Sequence, residues 1–407
     1  MTDRIYYTDS ECRSFDATVT RPVERDGRAA VVLDRTAFYP TSGGQPFDQG
    51  RLNCLAPSHL RTLTLDVVET IDEGDDILHV VSAPIPAGTR VHGEIDWSRR
   101  FDHMQQHSGQ HVLSAAFEKL FTNRTMSFHM GTDTSTIDLA REASVSEIDR
   151  AVDEANRVVW DDRAVSVRFV SAEEASRLQL RKEPGREGTL RLVEIADVDL
   201  SACGGTHVPR TGAIGMIGVL GAERFRGGSR VTFVCGGRAS RVLRSYRDAI
   251  AGSVRVLSVL PDELPAALER IQLEAKQLRK TIGRLQDTLA GHEAERMLSG
   301  APSIEGVRVV VQSIEGWDAA GLKAMASALT NQSRVAAALF TRGDPIAAVI
   351  ARSPDVELDA SKVLRALLDR FGGRGGGKPD LAQGGGLGGH VDEILSSARE
   401  LLTRRSG

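Results

Sequence analysis

The stretch RRFDHMQQHSGQHVLSAAFEKLF, Arg99 to Phe121, decides how the chain is read. Val112, Leu113, Ala116, Phe117 and Leu120 recur at the three- and four-residue steps of one helical face. The same segment carries His103, His107 and His111, three of the ten histidines, spaced by four. A four-residue step returns to nearly the same face of an α-helix, so either neighbouring pair can share one metal ion. Spacing leaves the pairs 103/107 and 107/111 equal, and both need ligands from elsewhere.

Those ligands are offered by CGGTH, Cys203 to His207, whose two glycines let the backbone turn tightly enough to bring thiolate and imidazole together. With His107 and His111 the set is one sulfur and three nitrogens, which suits zinc. Cys12, Cys54 and Cys235 have no nearby histidine and read as core thiols. A Cys203–His207 nucleophile dyad is the rival reading. A reactive cysteine usually sits at a helix N-terminus or beside a positive charge, whereas CGGTHVPRTG reads as a loop between strands. An Asp-His-His phosphoesterase site is not matched either, because Asp102 and His103 are followed by Met104.

The bulk numbers frame these motifs. A chain of 407 residues suggests two or three domains. The hydrophobic fraction of 41% and charged fraction of 26% are those of a soluble globular protein. No apolar run approaches a bilayer span, and MTDRIYYTDSEC lacks the basic-then-apolar pattern of a signal peptide. Four scattered cysteines make a disulfide framework improbable, so a reducing cytoplasm and no membrane partner are expected. The net charge of −4 argues mildly against a nucleic-acid binder. Locally, however, Arg224, Arg226, Arg230, Arg238, Arg241, Arg244 and Arg247 form a basic run, either an RNA-facing patch or a solvated face.

The expected fold class is α+β multidomain, in four parts. Residues 1–95 read as short strands (AAVVLD, DILHVV) between turn clusters (RDGR, EGDD), a small barrel or sandwich. Within them TAFYPTSGGQPFDQG, Thr36 to Gly50, reads as a loop. Residues 96–245 read as mixed α+β, with a second helix at SVSEIDRAVDEANRVVW and strands at STIDLA, SVRFV, LRLVEI and RVTFVC. Residues 246–298 form a helical linker: Leu264, Leu268, Ile271, Ala275, Leu278, Ile282, Leu285 and Leu289 make an unbroken a/d seam. That seam predicts a long helix in an antiparallel pair or an oligomer. Residues 299–407 alternate strands (VRVVVQSI, VAAALFT, PIAAVIAR) with helices (WDAAGLKAMASALTN, ASKVLRALLDRF, HVDEILSSARELLTRR), a small α/β domain carrying GGRGGGKPDLAQGGGLGG.

Taken together, TAFYPTSGGQPFDQG, HSGQH and CGGTH resemble, in order and separation, the editing domain of alanyl-tRNA synthetases. They look closer still to the free-standing alanyl-tRNA editing proteins of the AlaX group. GGRGGGKPDLAQGGG resembles the glycine-rich motif of the DHHA1 domain that ends alanyl-tRNA synthetases. The resemblance covers nearly the whole chain, with no segment left for a core that activates alanine. It implies a long-form editing hydrolase that deacylates seryl-tRNA(Ala), and sometimes glycyl-tRNA(Ala), in trans. It implies one zinc ion per chain, held by His107, His111, Cys203 and His207, which leaves His103 spare: a partly exposed helix histidine, or a group behind the ligands or against RNA.

The resemblance also places the Thr36–Gly50 loop, with Gln45, against the zinc. NRTMSFH then forms the wall that reads the amino acid, with Thr125 and Ser127 as candidates to bond a serine hydroxyl. Arg224, Arg226 and Arg230 are expected on acceptor-stem phosphates, and Arg374 and Lys378 on phosphates through the glycine-rich loop. The expected partner is tRNA, tRNA(Ala) above all, together with a homodimer through the C-terminal half. A non-catalytic tRNA-binding module and a deacylase of another seryl-tRNA, such as that for threonine, are the alternatives.

Overall fold

The structure, a computed structural model, describes residues 1–55, 63–181, 188–343 and 345–403. It divides into two compact units, Met1–Gly252 and Ser253–Gly407.

The first unit opens with a barrel. Strands Ser14–Arg25, Arg28–Leu33, Asp76–Val81, Leu63–Glu73, Gly50–Cys54 and Arg90–Ile95 follow one another around it and close on the first. Every neighbour is antiparallel. Closure removes the open edges that a sandwich would leave. The turn cluster RDGR bends where Asp26 and Gly27 take φ of 49° and 72°. Alternation along the strands turns Phe15, Ala17, Val19, Leu52, Leu65 and Val67 into one core.

The loop Thr36–Gly50 leaves the barrel and is largely buried, with Thr41, Ser42 and Gly43 at its exposed tip. Thr36, Ala37, Phe38, Tyr39, Gln45 and Asp48 are all essentially inaccessible. Asp48 explains this. Its carboxylate accepts from Tyr39 N at 2.7 Å and from Arg100 Nε at 2.9 Å, so the loop is bolted to the following helix. Arg100 spends its remaining donors on the Ser10 and Ala37 carbonyls.

That helix, Trp97–Phe121, starts where Asp96 accepts from Arg99 N and ends where Thr122 turns left-handed at φ 52°. All residues from His103 to Phe117 are buried, so its polar face is covered as fully as its apolar one. Gln106 pairs with both backbone groups of Cys235, at 3.1 and 2.8 Å, standing in for a neighbouring strand. Gly109 completes this docking: a Cβ there would lie 2.3 Å from Cys235 Sγ. The helix packs on a four-stranded antiparallel sheet, in order Ile217–Phe225, Gly228–Cys235, Ser135–Leu139, Thr125–Met130. The helix Val145–Trp160, begun by a Ser144–Glu147 capping box, lies against it. A three-stranded sheet, Val165–Ser171, Thr189–Ile195, Asp199–Ala202, completes the layer.

The arginine run is split by this fold. Arg224 and Arg226 flank the tip of the Ile217–Phe225/Gly228–Cys235 hairpin, and the later arginines ride on a helix, Gly236–Leu257. Arg238 is no surface group. It is 2% exposed and grips Asp102 through Nε and Nη2 at 2.7–3.0 Å.

The second unit contains the helix Leu264–Ser299, of 36 residues, about 54 Å long at 1.5 Å per residue. Its C-terminal end packs Ala290, Ala294 and Met297 against Leu322, Met325 and Leu329. The heptad positions Leu268, Leu278, Ile282, Leu285 and Leu289 remain 49–63% exposed.

A six-stranded mixed sheet follows: Ser303–Ile304, Val307–Ile314, Val335–Thr341, Ile346–Arg352, Leu381–Leu387, Arg374–Gly377. The helix Ala319–Thr330 makes its one parallel crossover and shares a face with the long helix, while Ala360–Phe371 and Val391–Thr403 cover the other. Residues 404 and 405 of the last expected helix lie outside the described residues. The expected glycine-rich loop is instead a hairpin of paired strands. Its glycines allow the strands to close: a Cβ on Gly375 or Gly377 would sit 2.5 or 2.4 Å from the facing backbone.

Candidate metal centre

The helix Trp97–Phe121 presents His107 and His111 one turn apart, and the loop after strand Asp199–Ala202 presents Cys203 and His207. Their ligand atoms all lie within 4.8 Å of one another. Cys203 Sγ is 3.3 Å from His107 Nε2 and 3.4 Å from His207 Nε2. A tetrahedral zinc site with bonds of about 2.0–2.3 Å has edges of roughly 3.3–3.8 Å, so the set fits with little adjustment. Gly205 makes the approach possible, because a Cβ there would lie 2.1 Å from the His107 ring.

Each histidine has its outer nitrogen committed. His107 Nδ1 donates to Gln45 Oε1 at 2.8 Å and His111 Nδ1 to Asp199 Oδ2 at 2.6 Å, and His207 Nδ1 is paired with Ser108 Oγ at 3.1 Å, which accepts its proton when Nε2 binds a metal. In that tautomer all three Nε2 lone pairs converge with the sulfur, the arrangement a metal needs. Burial alone would raise the Asp199 carboxyl. His111 and Arg181 outweigh it and hold the carboxyl well below the carboxylate range. Burial likewise pushes the Cys203 thiol up, but His107 and His207 beside it bring it well below its ordinary value. Burial pulls His207 down to about 3, so its ring is neutral, as a ligand's must be.

Gln45 sits behind the ligands. Its Oε1 also accepts from Thr206 N at 3.1 Å and its Nε2 donates to Thr206 Oγ1 at 2.7 Å, so its oxygen and one amide N–H are engaged within the protein. His103 is 4% exposed, which overturns the expectation of a partly exposed side chain. It stands outside the ligand group; burial, with Arg99 adding, takes it down to about 3.

The strand Thr125–Met130 edges the site through Phe128, whose ring lies 5.4 Å from that of His107. Its pairing skips Met126: Thr125 faces Leu139 and Ser127 faces Asp138. This bulge turns Thr125 inward, where Oγ1 donates to Ser114 Oγ at 2.7 Å. Ser127 alternates to the other face and donates to Asp138 at 2.5 Å, away from the cluster.

Among the expected basic contacts, Arg230 is tied to Asp138 at 2.7 Å and lies over the Phe225 ring. Arg224 is paired with Glu142 at 3.1 Å and stays exposed, as does Arg226. In the second unit Arg374 and Lys378 are exposed on the glycine-rich hairpin. Sequence reasoning missed Asp199, Ser108 and Thr206. Ser108 and Thr206 lie beside ligands inside HSGQH and CGGTH, and Asp199 lies four residues before Cys203, so proximity to the motifs was their one signal.

Comparison with known proteins agrees with this architecture. Residues 3–99 match the model of tRNA synthetases class II (A), and 190–231 that of the threonyl and alanyl tRNA synthetase second additional domain. Residues 306–404 match the DHHA1 domain. The chain is 31% identical over 403 residues to the alanyl-tRNA editing protein AlaX-L of Pyrococcus horikoshii, covering 94% of both chains. It is 34% identical over 399 residues to the alanine–tRNA ligase of Pyrococcus furiosus, covering 94% of this chain but 42% of the ligase. It therefore spans less than half of such ligases. The C-Ala domain of Aquifex aeolicus alanyl-tRNA synthetase aligns with 26% of the chain at 25% identity, with a TM-score of 0.24 that is too low to bear on the fold. The chain belongs to the alanyl-tRNA editing family, with an editing domain followed by a DHHA1 domain.

Proposed function

We propose that this protein is a cytoplasmic aminoacyl-tRNA deacylase that hydrolyses seryl-tRNA(Ala), and glycyl-tRNA(Ala) to a lesser degree, with one zinc ion per chain. The observation that carries this reading is the convergence of three Nε2 atoms and one Sγ with every outer nitrogen already bonded. Zinc bound there supplies Lewis-acid chemistry toward the ester carbonyl or a water molecule. His107, His111, Cys203 and His207 hold it, and Gln45, Ser108 and Asp199 fix the ligand rings. Thr125, anchored by donating to Ser114, keeps acceptor lone pairs for a serine hydroxyl.

Deacylation of a panel comprising seryl-, glycyl- and alanyl-tRNA(Ala) and seryl-tRNA(Thr) tests the reading. Seryl-tRNA(Ala) is expected to be the fastest, and protein stripped of zinc but still folded is expected to lose the activity. A metal-loaded protein that turns over none of the four would leave a tRNA-binding module instead. In the same panel Thr125→Val is expected to erode the serine-over-alanine preference by about 100-fold or more, since sites built on a hydroxyl bond discriminate by about 10⁴. An unchanged preference would remove Thr125 from this role.

For RNA the exposed Arg224 and Arg226 are the proposed acceptor-stem contacts, with Arg230 stiffening their hairpin from its Asp138 and Phe225 contacts. Arg374 and Lys378 are proposed contacts of the second unit, and the exposed heptad seam is proposed to pair two copies. Affinity for tRNA is expected to fall steeply with salt. Arg224→Ala and Arg226→Ala should each flatten the slope of log affinity against log salt by roughly 0.7–0.9. A salt-independent affinity would refute these contacts.

A further inference from the structure

Among the described residues of the first unit, three arginines are almost fully buried: Arg100, Arg238 and Arg191. The first two each grip a carboxylate, Asp48 and Asp102. Arg191, 8% exposed, has no carboxylate within ion-pair reach among the described residues. Its charge is met by the Tyr7 ring, 5.7 Å from Cζ, and by carbonyls, not by a carboxylate; burying a cation so is costly, and an apolar side chain would fill the space without that cost.

The donors of Arg191 show where it is directed. Nη1 donates to the Cys203 carbonyl at 2.6 Å and Nε to the Tyr7 carbonyl at 2.9 Å, while the Arg191 carbonyl accepts from Cys203 N at 3.1 Å. Both backbone groups of the sulfur ligand are thus held by one residue, which in turn is anchored to the N-terminal turn. Nη2 is buried without a partner, so one donor is given up to keep the fork in this orientation. His107, His111 and His207 are each fixed through a side-chain nitrogen. Outside the ligand group, among the described residues, Cys203 Sγ accepts only a long bond from Gly205 N, at 3.4 Å, so its aim depends chiefly on where the backbone places it.

We infer that Arg191 is a positioning residue of the metal centre: its guanidinium fork clamps the backbone at Cys203 and so aims the sulfur at the three imidazole nitrogens. This rests on the metal reading above. A lysine ammonium is one flexible point of charge and does not reproduce the planar fork whose Nε and Nη1 hold the Tyr7 and Cys203 carbonyls in fixed directions, so lysine is not an equivalent replacement.

The test uses the full chain loaded with cobalt(II) in place of zinc, with Arg191→Lys, Arg191→Met and Arg191→Gln compared with wild type. The sulfur-to-cobalt charge-transfer band reports the one cysteine ligand. In every variant that folds, the band is expected to shift or lose about half its intensity. A competing chelator is expected to show affinity weakened by about 10–100-fold, the usual loss for a group behind a metal ligand. A residue that serves the fold alone would lower the melting temperature and leave the band unchanged, and that result, or wild-type affinity in any folded variant, overturns the inference. Failure of all three variants to fold counts against it too. Absence of the cobalt band in wild type would instead sink the metal reading.

Discussion

His107→Ala and His111→Ala proteins are expected to bind zinc about 100- to 1,000-fold more weakly than wild type, while His103→Ala keeps its full equivalent. A structural zinc site is worth about 10–16 kcal/mol, or roughly 3 kcal/mol for each of four ligands, which sets the size of the loss. The contrast comes from geometry. His107 and His111 belong to the converging group, and His103, though one turn away and buried, does not. Metal content per folded chain, read by chelator competition, decides it. Loss of zinc from His103→Ala with retention in His111→Ala would reverse the assignment. Deacylation is expected to fall in parallel with metal content.

The second large effect is on stability. Asp48→Ala is expected to destabilise the first unit by about 3–5 kcal/mol, because it leaves the Arg100 charge buried without its partner. Both side chains are 0% exposed, so water cannot screen the loss. Arg100→Met combined with Asp48→Leu removes both charges and should recover much of the stability. Denaturant unfolding measures this, and a loss under about 1 kcal/mol would show that the pair is dispensable. The same change frees the loop that carries Gln45, so metal binding should weaken together with stability.

Most of this architecture was legible in the sequence. Short apolar runs between turn clusters gave the barrel strands Arg28–Leu33 and Asp76–Val81, and SVSEIDRAVDEANRVVW gave the helix Val145–Trp160. The strands Val307–Ile314, Val335–Thr341 and Ile346–Arg352 and all three helices of the C-terminal domain sit where the sequence candidates put them, while the short strand Ser303–Ile304 was not expected. What was not legible depended on partners distant in the chain. The strand Thr125–Met130 alternates Met126, Phe128 and Met130 with polar residues, but its bulge and its face are set by pairing with Ser135–Leu139. The glycine-rich segment has no strand propensity, yet its bare backbone pairs closely with itself.

The metal ligands lay in two compact motifs, so residue type alone gave their candidates. Two of their supports, Gln45 and Asp199, lay outside both motifs. Gln45 meets His107 across 62 residues, and Asp199 meets His111 across 88. Nor did charge counting reveal that Arg238 belongs to the core while Arg226 belongs to the surface, since only burial separates them.

The contact between Gly109 and Cys235 places a condition on how this family can vary. The middle of HSGQH and the end of the strand Gly228–Cys235 share a single volume, already filled by the sulfur. A lineage that puts alanine at 109 must first have given up bulk at 235, or it pushes the histidine helix off its sheet. Residue 235, 126 positions later in the chain, therefore limits which residues can stand between the two helical ligands.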